Sequence, residues 1–311
     1  MIEASLIVTS FNEESRIREW CSSFMSMTTL PSEIVVIDSM STDMTVKILK
    51  ENLVQQGYTG DLTIKIEKCN ISEGRNRGIE IAANEACLIT DFGVEFDVHW
   101  CENLYQSLKD KDWVGGVYRM ISSNKIQESF CNLFDDPIES LDDSSFLPSS
   151  RSFGIKRSVF LDIGGYDTSL VIGEDTDLIY RLKARKLNYA IAKDAIVSWW
   201  PRENIKAIYI QNYRYAYWDG IAKNNFGRLL HIAFFLVPIV IFLTLSVFFS
   251  SGLLLLLLFP YLYISSYLKA NINTIRNRNS KANVLDVLVY FVTLMSSSIG
   301  FVVGLLKGVR G

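Results

Sequence analysis

The sequence predicts an α/β domain built on a mostly parallel sheet and followed by an apolar C-terminal region. Three observations lead there. Short apolar runs rich in β-branched residues alternate with helix-compatible stretches through the first two-thirds of the chain, the order that lays helices over a parallel sheet. The 49% hydrophobic content of these 311 residues exceeds what a soluble enzyme needs, and nearly every long apolar run lies after Leu229. Polar clusters recur where the expected strands end, the edge at which such sheets bind ligands.

Taken in order, Ser5 to Thr9, Glu33 to Asp38, Leu62 to Glu67, Ala86 to Asp91 and Trp113 to Arg119 are expected strands. The clusters "TSFNEE", "DSMSTD" and "DFGVEFD" then converge on one crevice. The stretch "NLFDDPIESLDDSSFLPSSR" has no clear period and is expected as an active-site flap or a plain surface loop. Helical patterning returns at Lys156 to Asp162 and at Glu174 to Lys186. Residues 1–203 are expected to form the catalytic domain.

Residues 204–228, rich in Tyr and Trp with basic margins, have the composition of an amphipathic helix in a membrane interface; packing on the sheet is the alternative. Residues 229–311 hold three apolar runs, at 229–250, 253–268 and 284–306, each expected to cross a bilayer. Asp286 and a serine triplet interrupt the third. The basic stretch from Lys269 to Lys281 is expected on the cytoplasmic side with the catalytic domain, giving a multi-pass membrane protein.

Composition also excludes. A net charge of −3 without a basic, aromatic-interleaved block gives a nucleic-acid partner no electrostatic support. Five irregularly spaced cysteines without a CxxC pair argue against disulfides and structural zinc. The N-terminus lacks the basic-then-apolar pattern of a signal peptide and is expected as the first strand.

Asp91-Phe92-Gly93 is the tripeptide that holds magnesium in protein kinases, but no glycine-rich loop, lysine strand or HRD segment accompanies it. An aspartate at a strand end can instead support a nucleotide diphosphate, usually through a divalent metal, or merely cap the next helix. Arg75 and Asn76, at an expected helix start, can meet phosphate. Glu174 and Asp175 open another helix, where adjacent residues point in different directions, so no more than one of them is expected to face a reacting hydroxyl; the alternative is that both only favour the helix N-terminal dipole. Gln211 and Arg214 lie one turn apart, with Tyr215 and Trp218 as a sugar or lipid platform or as interface anchors.

With these segments the chain resembles the family-2 glycosyltransferases of the GT-A fold. "SLIVTSFNEE" looks like the family's first strand and nucleotide-binding turn, "EIVVIDSMSTDMT" its second strand, and "EGRNRGIEIA" its Arg-Asn-x-Gly helix. "ITDFGVEFDVHW" stands in the place of the DxD metal motif, "GGYDTSLVIGEDTDLIYRLK" in that of the catalytic acid pair, and Gln211 to Tyr215 in that of QxxRW. The resemblance implies donor binding by Thr9, Phe11, Asn12, Glu13, Asp38, Arg75, Asn76 and Asp91. It further implies Asp175 as catalytic base with Glu174 beside it, acceptor contacts from Gln211, Arg214, Tyr215 and Trp218, and Mg²⁺ or Mn²⁺ on Asp91.

Two departures bear on this. Gly93 replaces the usual second aspartate, so either Glu95 or Asp97 helps Asp91 hold metal, or Arg75 and other cations hold the diphosphate. Ser39 stands where many members carry an aspartate, which leaves the donor open. The expectation is an inverting transfer from a nucleotide-sugar to a lipid-linked acceptor in cell-surface polysaccharide or glycolipid assembly. Its alternatives are a polyprenyl-phosphate glycosyltransferase, a processive polysaccharide synthase, and an inactive GT-A scaffold.

Overall fold

The computed structural model describes residues 1–221, 237–238, 240–245, 258–278 and 280–308. Eight strands form one sheet: β1 (Ile2–Ser10), β2 (Pro31–Asp38), β3 (Asp61–Ile66), β4 (Ala86–Asp91), β5 (Val94–Phe96), β6 (Trp113–Met120), β7 (Phe153–Lys156) and β8 (Tyr189–Trp199). Their order is β3-β2-β1-β4-β7-β6-β8-β5. The first half, β3-β2-β1-β4, is parallel as expected. Beyond it β7 runs antiparallel to β4 and to β6, and β5 runs antiparallel to β8, so the sheet is mixed rather than mostly parallel.

Alternation along the strands builds two cores. Leu6 and Val8 of β1, Ile34 and Val36 of β2 and Leu88 of β4 enter one; Ile7, Val35, Ile37, Cys87 and Ile89 enter the other. The first is covered by α1 (Ile17–Met25), α2 (Thr45–Gln55) and α4 (Trp100–Leu108), and the second by α3 (Ile71–Ile81), α6 (Arg157–Asp162) and α7 (Glu174–Ala184). Covering both faces explains the near-continuous apolar runs of these strands. All five cysteines are free, and burial pushes the thiols of Cys21, Cys87, Cys101 and Cys131 up to about 12.

The chain divides into two compact units, one of Met1–Arg119 with Ile138–Trp199 and the other of Met120–Pro137 with Trp200–Gly311. The first unit thus ends at Trp199, just before the boundary expected at residue 203, and Met120–Pro137, which includes only the first six residues of the expected flap, belongs to the second unit. Met120–Pro137 carries α5 (Lys125–Phe134), whose start Asn124 caps by accepting the N–H groups of Ile126 and Gln127. Its Leu133, Phe130 and Phe134 pack with Ile208, Ala270, Val287 and Tyr290 of the second unit. The helix lies just ahead of the stretch expected as a flap, overlapping it only at Asn132 to Phe134.

The second unit also contains α8 (Ile205–Ile221), α9 (Leu258–Arg278) and α10 (Val284–Gly308). Within the expected segment 204–228, the described helix α8 is not a free amphipathic helix. Apolar and polar residues are mixed around α8, and it lies flush against α10, where a Cβ on Gly300 would sit 2.3 Å from the Tyr213 carbonyl oxygen and one on Gly304 2.1 Å from that of Tyr217. Glycine is what lets the two backbones touch. Residues 222–228, and most of the span expected at 229–250, lie outside the described residues.

The second expected span ends differently from its forecast. Helix α9 continues through the expected basic loop to Arg278, because Arg276 and Arg278 are paired with Asp136 at 2.5 Å and Asp135 at 2.8 Å. Ile264, Leu268, Ile272 and Ile275 of α9 are exposed, while Ser266, Ala270, Thr274 and Asn277 on its opposite face are buried. This is the reverse of a helix packed on a water-soluble core. Among the described residues only α10 is long and apolar enough to cross a membrane, with mean hydropathy 2.0, and 67% of its apolar window is buried within the protein. Asp286 does not interrupt α10: it caps the start, its carboxylate accepting the Asn283 N–H at 2.8 Å while Asn283 accepts the Asp286 N–H at 3.0 Å.

Candidate active site

The carboxyl ends of the parallel strands bring together residues far apart in sequence. Thr9 is the register partner of Asp91, and Ser10 of Asp38. Helix α3 delivers Arg75 beneath this edge. Its start is fixed by a reciprocal cap, Asn70 accepting the Glu73 N–H and Glu73 accepting that of Asn70. Gly78 lets it lie against β1, since a Cβ there would stand 2.6 Å from a methyl of Ile7.

Arg75 is therefore inside the protein, with a side chain 3% exposed. One terminal nitrogen donates to Asp91 at 2.8 Å and the other to Glu174 at 2.8 Å, while the guanidinium lies 5.4 Å from the Tyr166 ring centre. Its Nε is buried without a hydrogen-bond partner. The bridge joins the end of β4 to the start of α7, which Gly173 opens in the left-handed region at φ 87°. Only glycine takes that conformation at no steric cost.

Burial alone would raise the Asp91 carboxyl, but Arg75, and after it Arg151, outweigh burial and hold it below its ordinary range. Burial pushes the Glu174 carboxyl up; Arg75 draws it back without cancelling burial and the neighbouring charge of Asp175. One carboxyl is thus held below its ordinary range and the other above it, across a single cation.

The remaining expected donor residues divide. Asp38 is fully buried, accepting the hydroxyls of Ser10 at 2.7 Å and Ser41 at 2.6 Å and the Ser41 N–H at 2.8 Å. It closes the turn after β2. Asn12, at φ 55°, accepts the Thr42 N–H, and the Glu13 N–H donates to the Thr45 hydroxyl, so the loops after β1 and β2 are tied together. Phe11 is 59% exposed beside them, an aromatic face in the open. Asn76 spends both ends of its amide on the Tyr166 backbone, at 2.9 and 2.8 Å, and so clamps the loop before α7.

At the acid-pair helix, Asp175 is half-buried and accepts the Thr176 N–H at 2.8 Å. In the Asp91–Gly93 turn, Phe92 is buried edge-on against Trp20 at 4.8 Å. Beside it Gly93 faces open space, a Cβ there meeting nothing within 4 Å. Asp97 closes the turn before α4 by accepting the His99 N–H at 3.0 Å, and the Glu95 carboxyl is raised by burial and by Glu19. Among the described residues no group of three or more His, Cys, Asp and Glu is assembled to hold a metal by itself.

Gln211, Arg214, Tyr215 and Trp218 all lie on α8, in the second unit. Gln211 donates to the Tyr215 hydroxyl at 3.1 Å, Arg214 is exposed, and Trp218 meets Tyr217 edge-on at 5.7 Å.

Sequence reasoning missed Tyr166, whose hydroxyl lies 2.9 Å from that of Ser150, and it missed Arg151. The Arg151 guanidinium sits 4.6 Å above the Trp199 ring and 5.6 Å from that of Tyr118, and the Thr90 hydroxyl donates to its carbonyl at 2.9 Å. The available signal was an arginine ending a serine-rich segment just before an apolar run.

Comparison with known proteins adds to this geometry. The model of the family "Glycosyl transferase family 2" matches residues 5–164. An uncharacterized glycosyltransferase of Haemophilus influenzae is 26% identical over 57% of this chain, which spans 61% of that relative's length. A Methanococcus voltae protein is 24% identical over 98% of this chain and 97% of its own; its name is dolichyl N-acetyl-alpha-D-glucosaminyl phosphate 3-beta-D-2,3-diacetamido-2,3-dideoxy-beta-D-glucuronosyltransferase. Among solved structures, the Pyrobaculum calidifontis mannosyltransferase PcManGT, in complex with GDP-Man and Mn2+, matches with TM-score 0.54 at 17% identity, covering 71% of this chain and 63% of that one. S. aureus TarS in complex with UDP-GlcNAc matches with TM-score 0.51 at 16% identity, covering 68% and 66%.

Proposed function

The chain belongs to glycosyl transferase family 2 and is a glycosyltransferase of the GT-A fold, and from that premise we propose that it moves a sugar from a nucleotide-sugar donor to a lipid-linked acceptor at a cytoplasmic membrane surface. The observation that carries the reading is the Asp91–Arg75–Glu174 bridge, which ties the strand end expected to meet the donor diphosphate to the helix that presents Asp175. Such a transfer needs charge neutralised on the leaving diphosphate and a base for the attacking hydroxyl, held in line.

In this mechanism the acceptor hydroxyl surrenders its proton to Asp175 as its oxygen bonds to the anomeric carbon. The bond from that carbon to the diphosphate oxygen breaks on the opposite face, its electron pair leaves with the diphosphate, and the configuration inverts. Glu174 and Arg75 position the base and the diphosphate site without touching the reacting atoms. Thr9, Phe11, Asn12, Glu13 and Asp38 shape the nucleotide crevice.

A Mg²⁺ or Mn²⁺ ion fits here only as one drawing most of its ligands from the donor phosphates, with Asp91 as the protein ligand. When bound, it would neutralise charge on the diphosphate. Gly93→Asp places a second carboxylate in open space, so stability is expected to change by no more than about 0.5 kcal/mol. Binding of a nucleoside diphosphate to the variant should then become more Mn²⁺-dependent, which calorimetric titration with and without EDTA would reveal. An unchanged metal dependence would mean that the turn does not meet the diphosphate.

The lipid-linked acceptor is supported by the near full-length similarity to the Methanococcus protein, whose name contains a dolichyl phosphate. It is also supported by α9, which turns an apolar stripe outward and its polar face inward, and by the apolar length of α10. Anchoring by several spans and contacts to the acceptor from Gln211, Arg214, Tyr215 and Trp218 belong to the same proposal.

The test is nucleotide release by membranes containing the protein, offered UDP-, GDP- and dTDP-sugars with lipid extract or with water-soluble sugars as acceptor. One donor should be consumed, and only with the lipid. Equal use of soluble sugars would overturn the lipid-linked acceptor, and a ladder of products would point to a processive synthase.

A further inference from the structure

Tyr166 lies where the end of β4, the shared cation and the loop that leads into α7 come together. The Arg75 guanidinium stands over its ring, 5.4 Å from the ring centre, and the Nε of that guanidinium is buried without a hydrogen-bond partner. The Tyr166 hydroxyl is 2.9 Å from that of Ser150, and both side chains are buried. Ser150 precedes Arg151, whose carbonyl accepts the hydroxyl of Thr90, the residue before Asp91, at 2.9 Å. The loop from Tyr166 to Gly173 is strapped to the start of α3 as well. Asn76 holds both the N–H and the carbonyl of Tyr166, and Asn70 donates to the Thr168 carbonyl at 2.9 Å. Gly165 lets this strap close, since at φ 66° a Cβ on it would stand 2.7 Å from the Asn76 amide oxygen.

We propose that Tyr166 is a positioning residue for the transfer, its hydroxyl fixing the loop that ends in Glu174 and Asp175 against the strand end that carries Asp91; this rests on the reading of Asp175 as the base. The Arg75 bridge already joins the same two elements, but it does so through long side chains and through Glu174 rather than Asp175. Tyr166 adds a second tie that is buried and uncharged. Its ring gives the guanidinium a face to rest on where Nε finds no acceptor, and its hydroxyl reaches the segment that Thr90 binds. Attack and departure must be aligned, and a misplacement of about 1 Å far from the chemistry is enough to slow a reaction severely. A tie between base loop and donor strand acts on that alignment. Its loss should therefore appear in kcat and leave KM for the donor alone.

The experiment measures nucleotide release by the purified full chain in detergent, with lipid extract as acceptor, for wild type, Tyr166→Phe, Ser150→Ala, the double variant and Asp175→Asn. Rates are taken per site that binds the donor's nucleoside diphosphate, counted by calorimetric titration, so that unfolded protein does not enter kcat. Phenylalanine keeps the ring beside Arg75 and removes only the hydroxyl. Tyr166→Phe and Ser150→Ala should each lower kcat about 3- to 10-fold, the size of one hydrogen bond, with KM for the donor unchanged within about twofold. The double variant leaves neither hydroxyl orphaned and should be no slower than either single one. An unchanged kcat per site in either single variant, a loss confined to KM, or losses that multiply in the double variant would overturn the role of Tyr166 alone. If Asp175→Asn matches wild type, or the wild-type protein consumes no donor, the reading of the site itself falls, and Tyr166 with it.

Discussion

Replacing Arg75 with methionine is expected to abolish sugar transfer and to destabilise the folded first unit by about 3–5 kcal/mol. The side chain lies within the fold, so its removal leaves Asp91 and Glu174 as neighbouring acids without their shared cation. Methionine fills the space but donates nothing. Lysine is no substitute, because one ammonium lacks the fork that reaches two carboxylates in opposite directions.

The pH dependence separates this account from a simple packing defect. In the wild-type protein Asp91 is depressed below its unfolded value, so its contribution is present above the unfolded value and is lost as pH falls through the folded one. Glu174 is raised, so its ionisation on going to higher pH works against the fold. Without Arg75 both carboxyls rise, and the folded state takes up protons more readily than the unfolded chain. The stability deficit of Arg75→Met should therefore narrow as pH falls from 7 to about 4. Urea melts at several pH values measure it; a deficit constant with pH would mean that lost packing, not stranded charge, is responsible.

Much of the first unit was legible because its physics is local. The four parallel strands appear as apolar runs with period-2 sorting into two cores, and Asp38 and Asp91 stand where those runs stop. The strands that pair antiparallel were harder to read. Phe153–Lys156 is only four residues long, and β8 takes its place through contacts with segments remote in sequence. Burial was the other hidden quantity. Arg75 reads as a solvated phosphate ligand because arginine is seldom buried, yet the glycines of α3 bring it beneath the sheet edge, where the acids fix its partners. The same limit applies to α8, whose aromatic composition resembles an interface helix until Gly300 and Gly304 of α10 give it a partner.

Asp175→Asn is expected to lower kcat by about 10²- to 10⁴-fold while leaving stability within about 0.5 kcal/mol and donor affinity unchanged. The amide keeps the shape of the side chain, and its oxygen can still accept the Thr176 N–H that Asp175 accepts now. It cannot take a proton from an attacking hydroxyl. Glu174→Gln makes the contrast, because Glu174 is bound to Arg75 and its loss should appear in the melting curve before it appears in kinetics. Two adjacent acids at one helix start thus have separable signatures, one chemical and one structural. If Asp175→Asn retains kcat within about threefold of wild type, the proton leaves by another route, and Glu174, the adjacent acid at the same helix start, becomes the group to examine for the base.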